Sequence, residues 1–221
     1  MTRRTEIAER LLDVQERIAV AAKKAQREPA DLTLIAVTKT FPISDIEILS
    51  ALGIQEFGEN RDSDAAPKAA AVPGRWHFQG QIQSNKLKSI CSWAHVIHSL
   101  DELRHFQVIE KFATHPLEIF LQVNLDGLAE RGGAAIESLY PLASIIQAHP
   151  VHRLAGLMAV APLGIDPEIA FGNLHEIQRA FLRDFPSAKS LSAGMSQDFE
   201  IAISHGATHL RIGSQIMGSR Q

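Results

Sequence analysis

The 221-residue chain has one cysteine, one tyrosine, two tryptophans and no long uninterrupted apolar run. Each shortage excludes something. A lone Cys91 closes no internal disulfide and anchors no cysteine-cluster metal. Without roughly 18 consecutive apolar residues, no membrane span is expected. Met1–Glu6 is charged and no apolar stretch follows, so an ordinary secretory signal is not expected. Charge of one sign is lacking too, with 22 Lys and Arg against 25 Asp and Glu and a formal net charge of −3. A dedicated nucleic-acid binder needs a basic surface to displace counterions, and none is foreseen here. Ten histidines occur without His-Glu-x-x-His or His-x-His. His205 and His209 are separated by Gly206 at a helix end, and His149 and His152 flank Pro150, so no metal site is expected. With 45% apolar and 21% charged residues the chain reads as a soluble, cytoplasmic, globular protein.

What is there is an alternation. Residues 2–27 carry one apolar stripe, Ile7, Leu11, Val14, Ile18, Ala21 and Ala25, at three- and four-residue steps, and Pro29 closes that helix. Strands are then expected at 32–39, 54–59, 75–80, 94–99, 117–125, 153–160, 190–193 and 208–212. Helices are expected at 43–53, from Asp62, and at 85–93, 102–114, 136–149, 167–184 and 197–205. Eight βα repeats without a linker predict a (β/α)8 barrel over 32–221 preceded by one extra helix within 1–28, all as one domain. A doubly wound open sheet is the alternative, and the strand at 190–193 is the weakest of the eight.

In a barrel the chemistry gathers at the C-terminal strand ends. Ile35, Val37 and Lys39 share one face of the first strand, so an apolar face ends in an amine. Desolvation lowers a lysine's pKa, and a neutral amine attacks carbonyls. A strand-end lysine that simply reaches solvent is the plainer reading of that pattern. Asn60 follows the second strand, His77 and Gln79 share a face of the third, Gln122 and Asn124 end the fifth, and Arg211 lies on the eighth. Together they predict a polar ring above an apolar barrel interior.

The last two strands end in turns suited to an anion. Ser192-Ala193-Gly194-Met195-Ser196 offers a tight turn, and Ser196 can cap a helix starting near Gln197. In Arg211-Ile212-Gly213-Ser214, Gly213 lets the backbone approach a phosphate and Ser214 adds a donor. Either pair could merely cap and turn. An imine-forming lysine facing a phosphate cradle points to pyridoxal 5′-phosphate. Arg211 would then face the pyridine nitrogen and keep it unprotonated, which restrains carbanion chemistry.

The order Ala36-Val37-Thr38-Lys39-Thr40, Phe57-Gly58-Glu59-Asn60, Trp76-His77-Phe78-Gln79-Gly80, Gln83-Ser84-Asn85-Lys86, Gly156-Leu157-Met158-Ala159, Gly194-Met195-Ser196-Gln197-Asp198 and Arg211-Ile212-Gly213-Ser214 resembles the pyridoxal phosphate homeostasis protein family. These are single-domain relatives of the alanine racemase N-terminal barrel, fold type III among proteins using this cofactor. The resemblance implies pyridoxal 5′-phosphate held covalently on Lys39, phosphate contacts from Ser196, Gly213 and Ser214, and a ring-nitrogen contact from Arg211. Asn60, His77 and Met195 would line the pocket. It also implies cofactor buffering, with apo-enzymes as recipients. Arg61 and the stretch Glu130-Arg131-Gly132 depart from the family pattern.

Racemization on such a scaffold needs a base on each cofactor face, one of them a tyrosine from a second domain. The only tyrosine, Tyr140, falls in an outer helix, and no second domain is expected after Gly213. A monomeric, non-catalytic carrier is therefore the first expectation. A weak amino-acid racemase is the second. A cofactor-free barrel enzyme using Lys39 as its own Schiff base on a phosphorylated substrate is the third.

Overall fold

The computed structural model describes residues 2–128 and 132–218. Eight parallel strands close into a barrel in chain order. They are β1 (Thr33–Val37), β2 (Glu56–Glu59), β3 (Arg75–Phe78), β4 (Val96–Leu100), β5 (Glu118–Gln122), β6 (Arg153–Met158), β7 (Ser190–Ser192) and β8 (His209–Ile212). The helices are α1 (Arg3–Lys24), α2 (Ile43–Ala51), α3 (Asp62–Ala71), α4 (Leu87–Trp93), α5 (Leu103–Phe112), α6 (Ile136–Ala148), α7 (Pro167–Asp184), α8 (Phe199–Ser204) and α9 (Ser214–Met217). Among the described residues no helix is long and apolar enough to cross a membrane.

The expected barrel and leading helix are present, with shifted bounds. β1 stops at Val37, because Thr38 is drawn outward. Its hydroxyl donates to Glu59 Oε1 at 2.7 Å and its carbonyl accepts from Lys68 Nζ at 2.9 Å. α8 starts at Phe199 because Asp198 turns its carboxylate back to accept the Met195 N–H at 2.6 Å. α1 ends at Lys24, and Gln26 enters the left-handed region at φ 56. The weak strand β7 keeps three residues, paired to β6 from Gly156↔Ser190 to Met158↔Ser192.

The main apolar core lies outside the barrel, between strands and helices. Ala36, Phe57, Trp76, Phe78, Ile97, Ile119, Leu121, Leu191, Leu210 and Ile212 point outward into it. Alternation therefore sends the intervening residues inward. The interior is mixed and only in part apolar as expected: Ile35 and Val37 are buried on the inward face of β1. Val96, Phe120, Ala155 and Met158 form only a small inner cluster. His77, His98, Ser192 and Arg211 are buried among the inward positions, and the His98 ring stacks on Phe120 at 4.5 Å. Polar groups can fill a barrel when they hydrogen-bond one another, as these do.

α1 buries Ile7, Leu11, Val14, Ile18 and Ala21 of its expected stripe, while Ala25 falls just past the helix as its half-buried C-cap. Its arginines bind α2 and the far end of the chain: Arg3 donates to Asp45 Oδ2 at 2.6 Å and to the Met217 carbonyl at 2.9 Å, and Arg17 donates to Gln215 Oε1 at 2.8 Å.

Two outcomes follow from this packing. Glu59 is fully buried and meets Lys68 Nζ at 2.7 Å. Lys68→Met strands that carboxylate and should cost about 3–5 kcal/mol in urea denaturation, while Glu59→Leu/Lys68→Met recovers a large part of the loss. Burial holds His209 at about 4 and His98 well below the ordinary histidine value of 6.5. The unfolded chain therefore binds more protons than the folded one between pH 6.5 and 4. Stability is complete above that window and falls as pH drops through it, and His209→Asn should flatten the slope.

Candidate functional site

A cavity of about 620 Å3 opens over the C-terminal strand ends, walled by Val37, Lys39, Asn60, Gln79, Met158, Met195, Ser196, Arg211, Gly213, Ser214 and the loop 160–165. On one wall, Lys39 lies in the turn after β1, which the Phe41 N–H closes on the Thr38 carbonyl at 3.1 Å. Thr40 takes φ 71, a left-handed setting unusual for a side chain branched at Cβ. The buried Glu59–Lys68 pair grips Thr38, so the residue preceding Lys39 is fixed from behind.

The opposite wall is made by the turns after β7 and β8. Gly194 adopts φ +89, and a Cβ there would come within 2.7 Å of Ala202 Cβ. Ser196 does not cap α8. Its hydroxyl accepts the Gly213 N–H at 3.3 Å, and its carbonyl accepts from Gln215 Nε2, the residue that Arg17 of α1 also holds. A Cβ on Gly213 would press on the Val37 carbonyl at 3.2 Å, so glycine keeps β1 and this turn in close contact. Ser214, the first residue of α9, lines the same cavity.

Arg211 lies between the two walls, 5% exposed. Its Nη1 donates to Ser192 Oγ at 2.6 Å and its Nη2 to the Ala159 carbonyl at 2.8 Å. Burial brings the guanidinium down to about 10, opposed by Asp198, so it stays charged at neutral pH. Burial also pushes Asp198 up, against the Met195 N–H and the charge of Arg211. Gln79 Nε2 is buried at the cavity and has no hydrogen-bond partner.

Of the residues expected from the sequence, Lys39, Asn60, Met195, Ser196, Arg211, Gly213 and Ser214 meet at this cavity. His77 does not reach its wall. It lies two positions before Gln79, one layer deeper, with Nε2 2.5 Å from Glu56 Oε2 and Nδ1 2.8 Å from His98 Nε2. Gln79 takes the place at the mouth. Gln122 and Asn124 fall outside the cavity as well and line a separate hollow of about 220 Å3. Arg61 and Lys86 share a neighbouring hollow of about 380 Å3 with Asn60. Tyr140 is remote, its ring 5.8 Å from that of Phe181 in the outer layer. Arg131 lies outside the described residues. Burial pushes the Cys91 thiol up to about 11, so it is a packing residue.

The loop after β6 went unnoticed in the sequence. Val160-Ala161-Pro162-Leu163-Gly164 carries the proline and glycine of an irregular strand-end loop, and that was the available signal. Asp101, Glu102 and His105 bring metal-ligating types within 4.8 Å. Asp101 Oδ2 accepts the Gly133 N–H, Asp101 Oδ1 is 3.5 Å from His105 Nδ1, and Glu102 pairs with Arg104. The arrangement at the barrel mouth thus presents an amine on one side, N–H and O–H donors on the other, and a guanidinium between them. It suits a small ligand with an electrophilic carbon at one end and an anionic group at the other.

Comparison with known proteins gives a consistent set of relatives. The family model described as alanine racemase, N-terminal domain, matches residues 11–221. The pyridoxal phosphate homeostasis protein of Pseudomonas aeruginosa is 39% identical over 97% of this chain and 96% of its own length. That of Mycobacterium leprae is 35% identical over 98% and 93%. The solved structure of PipY from Synechococcus elongatus with PLP bound superposes with a TM-score of 0.82 at 29% identity, over 96% of this chain and all of PipY. Alanine racemase from Corynebacterium glutamicum, at 11% identity and TM-score 0.69 over 92% of this chain and 59% of its own, shares the fold. The chain belongs to the pyridoxal phosphate homeostasis protein family, built on the alanine racemase N-terminal barrel.

Proposed function

We propose that the cavity holds pyridoxal 5′-phosphate covalently on Lys39, and that the chain serves cytoplasmic homeostasis of this cofactor as a monomeric carrier or buffer without robust turnover. The observation that carries this reading is the placement of an amine turn and a donor-rich glycine turn on β1 and β8, adjacent strands of the closed barrel.

The residues present fit the group. Gly213 has no side chain to block an approaching phosphate, and the Ser196 and Ser214 hydroxyls flank it. Gln79 Nε2 is a buried donor still owed an acceptor, and a polar substituent on the ring would satisfy it. When bound, the cofactor supplies an aldehyde for amines and an electron-accepting ring. Arg211 would hold the ring nitrogen as a donor that neither gives up nor accepts a proton readily, which disfavours a protonated ring. Asn60 and Met195 would line the ring's surroundings, and the turn after β1 aims Lys39 across the mouth. Tyr140 cannot serve as a base from its place against Phe181 and Phe185. Such a site retains the cofactor more readily than it drives reactions on it, and apo-enzymes that require the cofactor are the proposed recipients.

Protein incubated with pyridoxal phosphate should turn yellow, and borohydride reduction should map the adduct to Lys39. Lys39→Ala should abolish the colour, and an adduct on another amine would overturn the assignment. Gly213→Asp puts a side chain against Val37 and a carboxylate in the anion turn, and should weaken cofactor binding at least about tenfold, or about 1.4 kcal/mol, by equilibrium titration. Sustained conversion of an L-amino acid to its D-isomer at ordinary enzyme rates would replace the carrier reading with a racemase.

A further inference from the structure

A chain of hydrogen bonds threads the barrel interior across five strands. Arg211 Nη1 meets Ser192 Oγ at 2.6 Å, Ser192 Oγ meets His98 Nδ1 at 2.8 Å, His98 Nε2 meets His77 Nδ1 at 2.8 Å, and His77 Nε2 meets Glu56 Oε2 at 2.5 Å. Its direction is forced by chemistry. A guanidinium has donors only, so Ser192 Oγ must accept from Arg211. A hydroxyl has two lone pairs, so this end alone does not place the serine proton. The far end does, because the Glu56 carboxylate only accepts and a neutral His77 therefore donates from Nε2. A neutral His98 must then donate from Nε2 to His77 Nδ1, and the serine proton is left for His98 Nδ1. Every link points away from the cavity, from a fixed cation to a carboxylate at the N-terminal end of the strands. Both imidazoles are neutral in this arrangement, and burial lowers the proton affinity of both.

We propose that Glu56, His77, His98 and Ser192 form a one-way hydrogen-bonded wire that positions Arg211 and tunes what it presents to the ring nitrogen of the bound cofactor. The proposal rests on the cofactor reading above. These four are positioning residues, since none of them reaches the cavity wall. Glu56 is partly exposed and feels other charges at that end of the barrel. Arg75 Nε lies 3.8 Å from it, and Arg75 Nη2 pairs with Glu118 at 2.8 Å. The His209 ring is 6.4 Å from that of His98, and Asp198 acts on Arg211 at the mouth.

Two measurements test the wire. In the protein without cofactor, nitrogen NMR of the imidazoles should show His77 and His98 as neutral Nε2–H tautomers throughout pH 6–8. A proton on Nδ1 of either ring overturns the proposal. In the loaded protein, the visible absorbance of the bound cofactor is titrated with pH. Ser192→Ala should shift the midpoint by about half a unit or more, a threefold change in proton affinity, and Ser192→Thr should restore it. Glu56→Gln removes the negative end and should move the midpoint to lower pH. Glu118→Gln removes a nearby carboxylate outside the wire and should move it much less. Unchanged titrations in Ser192→Ala and Glu56→Gln, or an equal shift from Glu118→Gln, overturn the proposal. If the apo-protein shows both expected tautomers while borohydride traps no adduct, the cofactor reading fails and the directed wire stands.

Discussion

The pairing of β1 with β8 is the constraint on which the rest depends. Thr33↔His209 through Ala36↔Ile212 closes the barrel. These two strands lie far apart in the chain, and each ends in one half of the candidate site. Their register brings the Lys39 turn beside the Gly213 turn, close enough that a single Cβ on Gly213 would press on the Val37 carbonyl. An open sheet with the same strands would have left the amine and the anion turn at opposite edges. Closure also removes both strand edges, so every strand can be short.

Closure creates an interior as well, and this barrel fills much of it with polar groups. Buried donors and acceptors are costly only when unpaired. Here the guanidinium, hydroxyl, imidazoles and carboxylate satisfy one another in series. Phe120 adds an apolar face for His98 to stack on. The apolar driving force for folding comes from elsewhere, from the shell between barrel and helices where Phe57, Trp76, Leu121 and Leu210 are buried. The division is physical. A shell can be built from non-directional contacts, whereas the interior is held by directional bonds that also fix one rotamer of Arg211.

Supports converge on the site from behind. The Glu59–Lys68 pair secures Thr38 on the amine side. On the anion side, Arg17 reaches Gln215, which reaches the Ser196 carbonyl, so α1 is tied to the turn by two hydrogen bonds in sequence. A leading helix that could be taken for a simple cover is thus part of the apparatus that holds the cavity. Tyr140 sits in the outer layer against Phe181, away from the cavity.

Much was legible locally. Alternation of apolar residues gave eight strands and the inward faces that hold Val37, Gln79 and Arg211, because the two-residue period is a property of each strand alone. The glycine and serine turns at Gly194 and Gly213 were legible for the same reason, since turn chemistry is read from neighbouring residues. The amino-acid sequence by itself therefore determined the repeat, the leading helix and the candidate amine. The tertiary structure decided what depends on distant register. It placed His77 in a layer below the cavity, gave Gln79 the wall, turned Ser196 toward Gly213, and joined Glu56, His77, His98, Ser192 and Arg211 into one line. Those five groups come from five strands, and only the stagger of a closed barrel sets which inward residues share a layer.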